Sequence, residues 1–183
     1  MELFRSLSWV DLAIILVLAI GVFAGFTQGA IVYALNSLAL LVAFVVAAQL
    51  TQPILDLMTF WTAFSPEGRA LIVMMGLFIA LAVVAWFVIF AAYRRTRLPI
   101  VKQIDEVLGA ILGLIYVALF ITLHVVILDA FFLGGGEAQG WLRGYYDELD
   151  GSLIVGFFRD TIVPVAGFVL RPFVPDEIAS LLS

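Results

Sequence analysis

The sequence predicts an all-α integral membrane protein: four transmembrane helices in antiparallel hairpins plus a C-terminal interfacial amphipathic helix. Three observations carry that reading. Hydrophobic residues make up 64% of the 183 and charged residues 13%, against roughly 45–50% and about 25% in an ordinary soluble domain. Folding a chain of this length still leaves about 30% of its unfolded surface exposed, so a water-soluble core has no room for that much apolar area. The mean hydropathy of +1.19 agrees, and the apolar residues fall in long continuous runs instead of alternating as barrel strands do.

Four runs define the spans. The first goes from Trp9 to Phe26, broken only by Asp11, and the second from Ala30 to Leu50 with Asn36 and Ser37 inside it. The third, Ala70 to Tyr93, carries no charge, and the fourth, Val107 to Leu133, holds His124 and Asp129 towards its far end. Each is long enough, because about 20 helical residues at about 1.5 Å apiece cross a ~30 Å hydrocarbon layer. A membrane domain of residues 1–133 and a tail of 134–183 follow. The first run is longer than a signal-peptide core, has an acid at its head and lacks a small-x-small cleavage site, so it reads as a retained span.

Basic residues set the orientation. Arg94, Arg95, Arg97 and Lys102 place four of the nine bases in the connector between spans three and four. Positive residues stay on the cytoplasmic side, which puts that connector inside and both termini outside. The tail from Ala130 onward has seven acids and three arginines, compatible with an external segment. After the joint Gly134-Gly135-Gly136, the segment from Ser152 to Leu170 is apolar enough to suggest a fifth span. Arg159 and Asp160 near its middle would be costly in the bilayer. Ile154, Phe157, Phe158, Val165, Phe168 and Val169 recur at helical spacing, so an amphipathic helix in the outer interface, bent near Pro164, is expected.

The chemistry is bounded by what is scarce. There is no cysteine and a single histidine, which removes disulfides, thiolate nucleophiles and most multi-histidine metal designs. No cofactor is expected, and a net charge of −5 gives nucleic acid no footing. Ser8-Trp9-Val10-Asp11 matches a capping pattern, which explains Asp11 without making it an ion or proton site. Ser65-Pro66-Glu67 reads as the opening of span three. His124 and Asp129 lie about 140° apart on one helix and do not pair within it. A relay or hydrated path across facing helices is the functional alternative. A histidine satisfied by a backbone carbonyl or headgroup is the structural one. Asn36 is the candidate for an interhelical hydrogen bond. For Asp105 and Glu106, dipole matching and a local ion pair with Lys102 or Arg97 suffice.

Small residues give the sharper pattern. Gly21, Gly25 and Gly29 form two overlapping Gly-xxx-Gly repeats in span one, and Gly109 and Gly113 form another in span four. Glycines four apart make a flat groove that lets two membrane helices approach closely. Spacing leaves open whether they pack within one protomer or between protomers of a homo-oligomer. The short connector Thr27-Gln28 before Gly29 predicts that spans one and two form a hairpin.

Trp9-Val10-Asp11 opening span one, Gly25-x-x-x-Gly29 at the first turn, and Asp105-x-x-Leu108-Gly109-x-x-x-Gly113 opening span four resemble the colicin V production protein family, CvpA. The likeness runs from about Trp9 to Leu128, and more loosely through the tail to Pro164 and Pro172–Pro175. Two positions depart from the family pattern. Gln28 stands where a basic residue usually precedes the first-turn glycine, and Val117 where a third glycine often follows Gly113. The resemblance implies a bacterial inner-membrane protein for production or export of the peptide toxin colicin V, linked to envelope homeostasis. Some relatives carry an external serine protease domain; this tail is too short for one and has no histidine, so that activity does not transfer.

The expected function is therefore a non-enzymatic scaffold or accessory factor, whose partners are the lipid bilayer and other membrane or envelope proteins. A small transporter or channel subunit is the alternative, with Asp11, Asn36, His124 and Asp129 lining a path. An intramembrane enzyme lacks a paired acid or a Gly-x-Ser-x-Gly motif.

Overall fold

A computed structural model describes residues 8–58, 66–93, 102–133 and 140–175. The described residues are almost wholly helical: α1 (Trp9–Gln28), α2 (Ala30–Leu57), α3 (Pro66–Tyr93), α4 (Lys102–Leu133), α5 (Trp141–Asp150) and α6 (Leu153–Leu170), followed by a 3-10 turn at Arg171–Phe173. Five segments are long and apolar enough to cross a membrane: Trp9–Gln28, Ala30–Leu57, Gly68–Tyr93, Lys102–Phe132 and Leu153–Phe173. Arg94, Arg95 and Arg97, Ser65 and the triple glycine at 134–136 lie outside the described residues. Lys102 opens α4 and pairs with Glu106 at 3.4 Å.

The helices outrun the apolar segments that announce them. α2 continues seven residues past Leu50, through Pro53, and α4 begins five residues before Val107. Apolarity marks the depth of the lipid layer, whereas a helix needs only satisfied backbone groups and can continue into the interface. Proline at position 53 removes one amide donor without ending the helix.

α4 is the hub. It packs along α1, α2, α3 and α6, while α1 and α2 touch each other far less than either touches α4 or, for α2, α3. The expected α1–α2 hairpin therefore turns sharply but splays. Its arms part because the glycine row of α1 faces α4. The centre is bound by aromatic side chains: Phe44 of α2 meets Phe78 of α3 edge-on at 6.0 Å, and Phe78 stacks on Phe120 of α4 at 5.6 Å. Tyr33 and Tyr116 join α2 to α4 in the same edge-on way. Large apolar side chains such as Leu16, Phe23, Val84, Phe87 and Ile111 point outward, as lipid-facing residues do.

At the α1–α2 turn, Gly29 has φ +91°, a left-handed conformation that glycine adopts without strain. It offers α2 no side-chain cap. The missing acceptor comes from α4, where Asp105 accepts the Ala30 amide at 3.0 Å. Asp105 is only 3% exposed. Its expected role as a surface dipole match is thus corrected: Glu106 takes the ion pair with Lys102, and Asp105 caps another helix.

α6 is tied at both ends to the same end of the bundle. At its start, Ser152 and Ile154 bond to Asp11 of α1, and just past its end the Phe173 carbonyl accepts from the Gln49 amide of α2. Asp11 precedes Gly29 by 18 residues and Gln49 follows it by 20, heights of about 27 and 30 Å above the turn. α6 therefore crosses the bundle's end. Val155, Phe158, Val163, Ala166 and Leu170 face the bundle; Phe157, Val165, Phe168 and Val169 face away. The single apolar side expected from sequence is divided in two, and Arg159 turns inward between them.

Asp105→Ala should lower stability by about 2 kcal/mol, the cost of a lost cap with a buried amide left unpaired. Asp105→Asn keeps an acceptor oxygen and should retain most of it. Thermal melts in detergent micelles, followed by tryptophan fluorescence, distinguish the two.

Candidate functional site

The site is the seam between α1 and α4 together with the polar clasp that closes it at the Asp11 end. Gly25 lies opposite Gly109, and Gly21 opposite Gly113, so the two helices run antiparallel in one register. A methyl group on Gly25 would overlap the carbonyl of Gly109 and stand 3.0 Å from Cα of Gly113. One on Gly113 would overlap the Gly21 carbonyl. The row ends on a side chain at each extreme: Asp105 fits against Gly29, and Val117 against Gly21. The glycines thus meet inside one protomer. Van der Waals and backbone contact of this closeness is the main attraction open to helices in lipid, where apolar burial gives little.

At the far end of the seam Asp11 is fully buried. Ser8 and Asp11 form a capping box at the start of α1. One carboxylate oxygen accepts from the Ser8 amide at 2.8 Å and its hydroxyl at 3.0 Å. The other accepts from the Ser152 hydroxyl at 2.6 Å and the Ile154 amide at 3.0 Å. Ser152 is itself the N-cap of α6. Two helix N-termini, both partially positive, therefore converge on one carboxylate and stabilise its charge without a cation. Capping explains half of Asp11. The other half, its bond to a residue 141 positions away, leaves no mark in the sequence.

Asp129 is the second fastener. Arg159 of α6 grips it through Nε at 2.9 Å and a terminal nitrogen at 2.6 Å, and Tyr146 of α5 donates to it at 2.9 Å. The remaining arm of Arg159 reaches Asp150 at 2.6 Å. A bidentate guanidinium with both carboxylate oxygens engaged is the strong geometry for such a pair. Burial pushes the Tyr146 phenol up to about 12, helped by its bond to Asp129 and that group's negative charge. The phenol accordingly stays protonated, and a donor, throughout the physiological range.

His124 and Asp129 do not meet. His124 Nε2 bonds to the Tyr145 hydroxyl at 3.1 Å, so His124 and Asp129 take two consecutive tyrosines of α5. The histidine's partner is a side-chain hydroxyl and not the backbone carbonyl that was one of the expected partners. Asn36 does not bridge helices either: its amide donates to Val32 of its own helix at 2.9 Å, and its buried oxygen has no hydrogen-bond partner. Asp11, Asn36, His124 and Asp129 thus each bond to a different partner. Among the described residues, no three of His, Asp and Glu come together as a metal would require.

α5 and its tyrosines escaped the sequence reading. Leu142, Tyr145, Tyr146 and Leu149 do recur at helical spacing, and Tyr146 and Leu149 are buried. That was the available signal, masked by the polar residues of a ten-residue helix.

Apolar helices locked by backbone contact, with the charges of α1 to α4 gathered towards helix ends, define a polytopic α-helical membrane protein. Residues 10–163 match the family described as Colicin V production protein, more than four-fifths of the chain. The chain belongs to that family. The match extends past Leu128 to cover α5, Ser152 and Arg159, so the bonds of the tail to Asp11 and Asp129 lie within it. No curated protein and no solved structure matches the chain.

Gly25→Leu and Gly109→Leu should each disrupt the bundle, costing 3 kcal/mol or more by forcing backbones apart, above the usual range of about 1–3 for overpacking. Gly76→Leu in α3, where an added Cβ meets nothing within 4 Å, should fold normally. Size-exclusion profiles and limited proteolysis in detergent would separate these outcomes.

Proposed function

We propose that this chain is a non-enzymatic accessory protein of a bacterial inner membrane, serving production or export of a peptide toxin and envelope homeostasis through protein contacts. In this reading α1 to α4 span the bilayer and α6 lies on its outer surface. The basic connector before α4 is cytoplasmic and both termini are outside.

The observation that carries the reading is the use made of the buried acids. Asp11, Asp105 and Asp129 each hold donors from another helix. These three buried acids are thus consumed by architecture, which leaves shape and apolar surface as the main means of meeting partners. The heights of the two α6 attachments support the surface position of that helix, and the outward Phe157, Val165 and Phe168 suit an interfacial side. The concentration of Arg94, Arg95, Arg97 and Lys102 in one connector supports the orientation.

In cells lacking their own copy and carrying the toxin genes, this chain should restore toxin release, measured as killing zones on a sensitive lawn. Arg159→Leu, which frees the tail, should reduce release at least tenfold, whereas His124→Phe should leave it intact. Loss in the histidine variant at normal expression would count against a purely architectural use of these polar groups. Separately, a carboxyl-terminal epitope should be digested by protease added to spheroplasts while a cytoplasmic marker survives. A protected epitope would make α6 a fifth span.

A further inference from the structure

Beside the seam, a groove opens between α1, α4 and α5 at the Asp11 end of the bundle, with a volume of about 290 Å³. Ala13 and Val17 of α1 and Ile121 of α4 line its depth, and Trp9, His124 and Tyr145 stand at its mouth. None of the bonds that fasten the tail passes through it except the His124–Tyr145 contact at that mouth.

Its depth is set by the glycine register. Residues of α1 and α4 facing one another, such as Gly21 with Gly113, sum to 134, so His124 stands level with Val10 and Ile121 with Ala13. From Trp9 to Val17 the groove descends eight residues, about 12 Å, close to the ~15 Å half-thickness of the hydrocarbon layer. Polarity falls in the same direction, with an imidazole, a phenol and an indole above and apolar walls, Phe120 among them, below. The neighbouring surface of α1, Leu12 and Leu16, is openly apolar, so the groove is continuous with the face that meets lipid.

We propose that this groove holds one acyl chain of a phospholipid from the leaflet on the Asp11 side, with its ester and headgroup at the His124–Tyr145 end. The apolar walls match a hydrocarbon chain. The bond between the histidine and the tyrosine leaves this pair one donor, the tyrosine O–H or the second histidine nitrogen's N–H, for an ester or phosphate oxygen. A helix of a second protein, about 10 Å across, is too wide for this volume. The inference rests on the membrane placement of α1 and α4 proposed above, but not on which side the tail lies.

The probe is a phosphatidylcholine with a photoactivatable diazirine in one acyl chain, reconstituted with the full chain in liposomes. Crosslinks should concentrate on Ala13, Ile14, Val17, Phe120 and Ile121, at least fivefold per residue above those on Leu12 and Leu16 of the exposed face of α1 outside the groove. Uniform labelling of all lipid-facing residues would overturn the proposal. In native mass spectrometry from mild detergent, the wild type and Leu16→Trp should each keep one phospholipid, and Ala13→Trp should lose it at least tenfold. Equal retention by both variants, no retained lipid in the wild type, or a second chain in place of the lipid would each overturn it. Neither readout depends on sidedness, so a protected carboxyl-terminal epitope would change the topology and leave this result standing.

Discussion

Everything in this structure depends on two helices coming backbone to backbone. In water, apolar burial would bring α1 and α4 together; in lipid it cannot, since the surrounding chains are as apolar as leucine. What remains is close contact, and glycine at 21, 25, 109 and 113 permits it because any added methyl would strike a facing backbone atom. The pairing pulls α1 away from α2, its neighbour in sequence, and frees α2 to pack on α3. It also brings Asp105 to the turn, where it completes the cap of α2.

The polar groups follow from that arrangement. A bundle made by bare backbone contact gains little from its apolar surfaces, so its ends are fastened by acids. Asp105 fastens one end, and Asp11 and Asp129 the other, through donors on α6 and α5. Charges that look like candidates for transport or catalysis when viewed one at a time become a clasp when viewed with their partners. The family match spans residues 10–163 and so covers Asp11, Asp129, Ser152 and Arg159 along with α1 to α4.

Spans and glycine rows were legible in the sequence because each is a local property: apolarity over twenty residues, or small side chains four apart. The helices run beyond the apolar runs, past Leu50 in α2 and before Val107 in α4, since hydropathy reports the solvent and not the backbone. The clasp was hidden because its bonds join Asp11 to Ser152 and Asp129 to Arg159, pairs that only the fold makes neighbours. Asp105 misled for a related reason. Its acidic first-turn position suits its own helix dipole well enough to conceal that it serves Ala30. Arg159, read as a cost that keeps α6 out of the bilayer, is largely compensated by Asp129; the heights of α6's two attachments are the better argument.

The most direct test of the α1–α4 seam is solid-state NMR of protein labelled with 13C at glycine only, reconstituted in lipid bilayers. Cross-peaks between Gly25 and Gly109, and between Gly21 and Gly113, should appear and should keep their relative intensity when the labelled chain is diluted into excess unlabelled protein. Absence of those cross-peaks would contradict the seam. Their disappearance on dilution would show that the glycines meet between protomers, contrary to the packing within one chain on which the clasp and the groove both depend.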